Sequence, residues 1–93
     1  MKAIWNNTVI AESNEIKIVE DNHYFPMSSV KQEYLEKSNK HTRCPWKGKA
    51  SYFHIKINGN INKDAAWYYP KASFAAKPIE NYVAFWKEVE ISE

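Results

Sequence analysis

Ninety-three residues, 26% of them charged and with a formal net charge of +2, make one small domain. That balance is too near neutral to mark a nucleic-acid binder, and a single cysteine, Cys44, leaves no internal disulfide to staple a secreted scaffold. No apolar run suits a signal peptide or a membrane span, so one cytoplasmic domain over residues 1–93 is expected.

A chain this short buries a modest fraction of its surface, and its four Trp, six Tyr and four Phe supply the large side chains a small core needs. The first elements are strands. KAIW (residues 2–5) and TVIAE (8–12) flank Asn6-Asn7, a pair able to take the left-handed conformation of a two-residue hairpin turn. EIKIV (15–19) alternates and is β-branched. One helix is expected next. Ser28 or Ser29 can cap VKQEYLEKS (30–38), Ser29 with Gln32 fits a capping box, and Val30, Tyr34 and Leu35 would face the core.

FHIKI (53–57) and INKDAAWYY (61–69) flank Asn58-Gly59, the strongest hairpin signal in the chain. A two-residue turn pairs Ile57 with Asn60. Tyr52 then faces Ala65, Ala50 faces Trp67, and Gly48 faces Tyr69, all on one face. Phe53, Ile55 and Ile57 occupy the other, which suits a sheet covered on both sides. Pro70 and Pro78 bracket a loop or single turn, KASFAAK (71–77). YVAFWKEVEI (82–91) leans toward strand, its period of two interrupted by Lys87. The class is mainly β: small antiparallel sheets with one short helix.

The chemistry concentrates in HTRCPWKGKASYF, residues 41–53. Lys37, Lys40, Arg43, Lys47 and Lys49 follow one another with no acid between them, a solvated loop or an anion site. Cys44 reads as a nucleophile, its thiolate favoured by Arg43 and Lys47 and served by His41, or as a small buried side chain with no oriented base. Trp46 and Lys47 join an indole and an ammonium on one loop, a pairing that suits a planar anion. Tyr69 and Tyr24 are strand-end aromatics that can line a pocket with Tyr52, whereas Trp67 is assigned to the core.

Four motifs in order, YFP (24–26), CPWKG (44–48) with Ala50 and Tyr52, AAWYYP (65–70) and YVAF (82–85), resemble the domain-of-unknown-function 427 family over almost the whole chain. The resemblance implies a mainly β, β-tent-like fold in a family sometimes labelled nucleotidyltransferase-like. The residues do not supply the usual parts of nucleotidyl transfer. Asp21 and Asp64 are the only aspartates, and Gly48 and Gly59 the only glycines, so neither a metal-holding carboxylate pair nor a glycine-rich phosphate loop is present. The paired Cys-x-x-Cys zinc motifs of β-tent relatives need more than Cys44, and no metal or cofactor is expected.

The expected function is a binding module for a small anionic or planar ligand, held by Arg43, Trp46, Lys47, Tyr52, Tyr69 and Tyr24. The alternatives are an enzyme using Cys44 with His41, or nucleotidyltransferase-like chemistry, and, behind these, a protein-interaction domain. A small molecule is the expected partner. Membrane and nucleic acid are disfavoured, and no motif names a protein partner.

Overall fold

The computed structural model describes residues 1–93. Nine strands follow one another: β1 (Lys2–Trp5), β2 (Thr8–Glu12), β3 (Lys17–Val19), β4 (Asn22–Pro26), β5 (Leu35–Cys44), β6 (Gly48–Ile57), β7 (Asn60–Tyr68), β8 (Tyr82–Phe85) and β9 (Glu90–Ser92). They form a three-stranded sheet in the order β2-β1-β9 and a six-stranded sheet in the order β3-β4-β8-β7-β6-β5. Every pairing between these strands is antiparallel, in keeping with the small antiparallel sheets expected.

The tight turns follow from residue chemistry. Asn6 and Asn7, and Asn58 and Gly59, all take positive φ, the backbone of the hairpin turn that matches strand twist. A third turn of this kind, at Glu20 (φ 54°) and Asp21 (φ 65°), joins β3 to β4. Glu20 is a rare residue for this conformation, and its side chain has a specific partner described below.

The expected capped helix is replaced by two short 3-10 turns, Met27–Ser29 and Gln32–Tyr34, after which the chain enters β5. Ser29 does not cap forward; its hydroxyl donates back to the Pro26 carbonyl at 2.7 Å. Val30 bridges Ala11, and the Lys31 N–H donates to the Ile10 carbonyl at 2.8 Å. Pairing with β2 therefore holds this segment extended where a helix would begin. YVAFWKEVEI likewise divides. Lys87 and Glu88 take positive φ, so the chain turns after β8 and its end crosses to the small sheet as β9.

Alternation along the strands builds two cores. Ala3, Ile10 and Ala11 of the small sheet meet Phe25, Phe53, Ile55, Ile57, Val83 and Phe85 of the large one. Phe25 and Phe85 pack edge to face at 5.7 Å, and Phe53 stacks on Tyr68 at 4.7 Å. The other face of the large sheet carries Tyr24, Ala50, Tyr69 and Ala84, covered by Ala72, Ala76 and Ile79. Here alanines stand among tyrosines, which gives the rings room to lie along the sheet.

Candidate functional site

Cys44 pairs with Gly48, so Pro45, Trp46 and Lys47 form the tip of the β5–β6 hairpin. Gly48 takes φ +108°, and a Cβ there would stand 3.4 Å from both the Lys71 carbonyl oxygen and the Ser73 nitrogen. The close approach is used: Ser73 N–H donates to the Lys47 carbonyl at 3.0 Å, and the Ser73 hydroxyl donates to that of Trp46. This clamp folds the tip onto the sheet and drives Lys47 inward.

Lys47 is 6% exposed, the single charged residue among the buried ones. Its ammonium donates to the Glu20 carboxylate of the β3–β4 turn and lies 5.4 Å from the Trp46 ring and 5.6 Å from the Tyr69 ring. Burial works against its charge, but the Glu20 hydrogen bond and the phenols of Tyr24 and Tyr69 outweigh that and hold its pKa above the ordinary lysine value. The same hydrogen bond holds Glu20 below the usual carboxylate range. Burial pushes the Tyr69 phenol up, against the pull of Lys47.

Lys47 forms one wall of a cleft of about 180 Å³ whose other walls are Tyr52, Trp67, Tyr69 and Trp86. Trp67 meets Tyr24 edge-on at 6.3 Å and Trp86 edge-on at 6.0 Å, and its Nε1–H donates to the Tyr24 hydroxyl at 3.3 Å. Two further cations stand over these rings, Lys40 at 5.3 Å from Tyr52 and Lys87 at 5.1 Å from Trp86. The Tyr52 hydroxyl is fixed by Thr42 at 2.9 Å. Flat aromatic walls and cations in one concavity suit a planar ligand bearing negative charge.

The cleft brings together three of the six binding residues read from the sequence: Lys47, Tyr52 and Tyr69. Tyr24 is fully buried behind Trp67. Trp46, 41% exposed, lines a separate apolar hollow of about 80 Å³ with Val19, Ala75, Ala76, Pro78 and Ile79. Arg43 is exposed opposite Lys49. Its neighbour Thr42 reaches Tyr52 and its neighbour Cys44 packs on the Tyr69 core, so Arg43 projects from the face away from the cleft. The same alternation separates His41 from Cys44: the His41 ring meets the Ser51 hydroxyl at 3.3 Å on the far face. Two further walls lie outside the six. Trp67 packs on the second core as expected and also lines the cleft, and Trp86 directly follows β8, before the interruption at Lys87. The signal for Trp86 was Lys87, the residue that breaks the alternation.

Fold and site together define a small mainly β domain with an aromatic cleft and a buried lysine in its wall. The chain matches the family model described as Domain of unknown function (DUF427), with the short label NTP_transf_9, over residues 1–93, and it belongs to that family. No curated protein matches it. No helix is long and apolar enough to cross a membrane.

Proposed function

We propose that this protein binds a small anionic molecule carrying one flat ring, in the cleft bounded by Lys47, Tyr52, Trp67, Tyr69 and Trp86. The observation that carries the reading is the Lys47 ammonium, buried against aromatic faces yet bordering open space. An ammonium has three N–H donors; Glu20 takes one, and another can serve an anion in the cleft. Ligand pockets for drug-sized molecules span roughly 300–1,000 Å³. A cleft of about 180 Å³ suits one ring, with any remaining substituent directed toward Lys40 and Lys87 at the rim. The family's short label makes a nucleotide worth including among such ligands. The single cysteine supports a cytoplasmic setting for this binder.

Titration with benzoate, nicotinate, uridine monophosphate and inorganic phosphate, followed by calorimetry and amide chemical shifts, tests this. Saturable binding of at least one ring-bearing anion is expected, with shifts centred on Tyr52, Tyr69 and Trp86 and weakened by salt. Failure of all three ring-bearing anions to bind at millimolar concentration would overturn it.

A further inference from the structure

Asp64 is none of the candidate site residues read from the sequence, yet it contacts His54, Ser38 and the cleft wall Trp86. It takes φ +56°, a left-handed backbone that non-glycine residues adopt seldom and aspartate more readily than most. It sits in a bulge. Between the Ile55–Asn62 and Phe53–Ala66 pairs, β6 places one residue, His54, where β7 places Lys63, Asp64 and Ala65. Strained, bulged positions of this kind collect beside functional sites when surrounding contacts over-determine them.

Those contacts are present. The Asp64 N–H donates to His54 Nδ1 at 3.0 Å. Its carboxylate accepts the Ser38 hydroxyl from β5. Its carbonyl accepts the Trp86 indole N–H at 2.6 Å. Trp86 is 43% exposed, and this is the hydrogen bond that anchors its ring while Trp67 supports it edge-on. The left-handed backbone and the carbonyl that holds the indole belong to the same residue.

We infer that Asp64 is the positioning residue of the cleft: its left-handed backbone holds Trp86 as the outer wall, and the protonation of His54 releases that hold. In the bonded state Nδ1 is an acceptor, so the neutral ring carries its proton on Nε2. A proton added to Nδ1 meets the Asp64 N–H donor head-on, and the bond is lost. The imidazolium has a new acceptor within reach, Asp64 Oδ1 at 3.6 Å.

The groups facing this exchange are few. From β7 comes the Asp64 carboxylate. From β5 comes Glu36, the register partner of His54, itself 3.8 Å from Lys56 on β6. Lys40 and Lys87 flank the Asp64 carboxylate. The Ser38 hydroxyl first, then His54 and these lysines, hold Asp64 below the usual range against burial. The carboxylate therefore stays charged while a histidine titrates, and the imidazolium finds an anion waiting.

The part that concerns ligand rests on the proposed function; the part that concerns Trp86 does not, and the experiment separates them. In ligand-free protein, the Trp86 indole ¹H–¹⁵N signal, assigned by its loss in Trp86→Phe, is followed from about pH 8 to about pH 5, where histidines ordinarily change charge. The signal is expected to move in one step that coincides with the His54 ring nitrogens. In His54→Gln, whose amide oxygen can accept the Asp64 N–H at every pH, it is expected to stay fixed. Asp64→Gly keeps the carbonyl and tolerates the backbone, so the signal keeps its neutral-pH position. Asp64→Val disfavours the left-handed backbone, so the signal shifts at all pH; if Asp64→Val does not fold, wild type and His54→Gln decide. A Trp86 signal that stays still while His54 titrates, or a step that persists in His54→Gln, overturns the proposal. Benzoate affinity, measured in parallel, should fall at least threefold across the step in wild type and stay flat in His54→Gln. Absence of binding by benzoate, nicotinate and uridine monophosphate alike, with the Trp86 step intact, would refute the ligand reading and leave the positioning role standing.

Discussion

Tyr52 stands directly opposite Trp67 across β6 and β7, two residues beyond the partner that a regular hairpin closed at Asn58-Gly59 would give it. The Asp64 bulge makes that difference, and it preserves parity, so Tyr52 and Trp67 still share a face. Trp67 thereby serves both the second core and the cleft.

Trp67→Ala and Trp86→Ala should accordingly separate. Trp67 supports Tyr24 and Trp86, and its loss should cost about 3 kcal/mol. Thermal melts should show this as a fall of more than about 10 °C for a domain of this size. Trp86 is an outer wall, so Trp86→Ala should lower the melting temperature by less than half as much yet weaken benzoate or nicotinate binding by at least as large a factor. Equal melting losses in the two variants would contradict this division.

Lys47→Met keeps the aliphatic stem and removes the ammonium. Binding of a ring-bearing anion should weaken about tenfold or more, in line with a charge-assisted hydrogen bond worth roughly 1.5–3 kcal/mol, and the remaining affinity should respond less to salt. Trp46→Ala, outside the cleft, should change affinity by less than about threefold. Calorimetry at two ionic strengths distinguishes the two.

Much of this arrangement was legible in the sequence because it rests on local rules. Asn6-Asn7 and Asn58-Gly59 announce their turns by residue type, and Phe53, Ile55 and Ile57 announce a buried face by alternation. Lys47 and Gly48 mark the hairpin tip. What stayed hidden depends on distant partners. Val30 remains extended because it bridges Ala11, a contact that outweighs the capping signal of Ser29. Lys47 is drawn inward by Glu20, 27 residues away, in a turn whose residue type does not advertise it. The Asp64 bulge leaves no mark in composition, and it shifts the register of β6 against β7 by two residues. Arg43 lies near Lys47 in sequence, but strand alternation sends it to the opposite face.

Cys44 is half-buried against the Tyr69 core, on the side of β5 away from His41. Cys44→Ser should leave anion binding within about twofold of wild type, and alkylation of Cys44 by iodoacetamide at neutral pH should be no faster than that of an unfolded peptide. A rapid, stoichiometric reaction in the folded protein would restore the nucleophile reading.

Three carboxylates are held below their ordinary values: Glu20 by the Lys47 hydrogen bond, Asp64 by the Ser38 hydroxyl, and Glu80 by Lys77 and then the Ala72 N–H. A depressed folded value means the stabilisation is present above the unfolded pKa and is lost as pH falls through the folded one. The melting temperature should therefore decline below about pH 4.5. Glu20→Gln should flatten that decline while lowering the neutral-pH melting temperature, because Lys47 loses its partner. Lys47, with its pKa raised, contributes the opposite limb, with stabilisation kept through neutral pH and lost only in strong alkali. Melts from about pH 3 to about pH 8, in steps of about one unit, read the acid limb and the plateau that Lys47 keeps.

The outer margin of the large sheet is β5, ten residues long and flanked by no further strand. An open ladder of that length invites another copy of itself. Lys37, Lys40 and Arg43 lie along it, and the register shift between Lys37 and His41 interrupts its pairing with β6. Two such margins approaching each other would set cation against cation along an uneven seam, which is how a β protein keeps its unpaired border from seeding a larger sheet. The guard is electrostatic, so it is conditional: concentrated salt or a bound polyanion lowers it, and self-association through β5 becomes a property of the medium as much as of the chain.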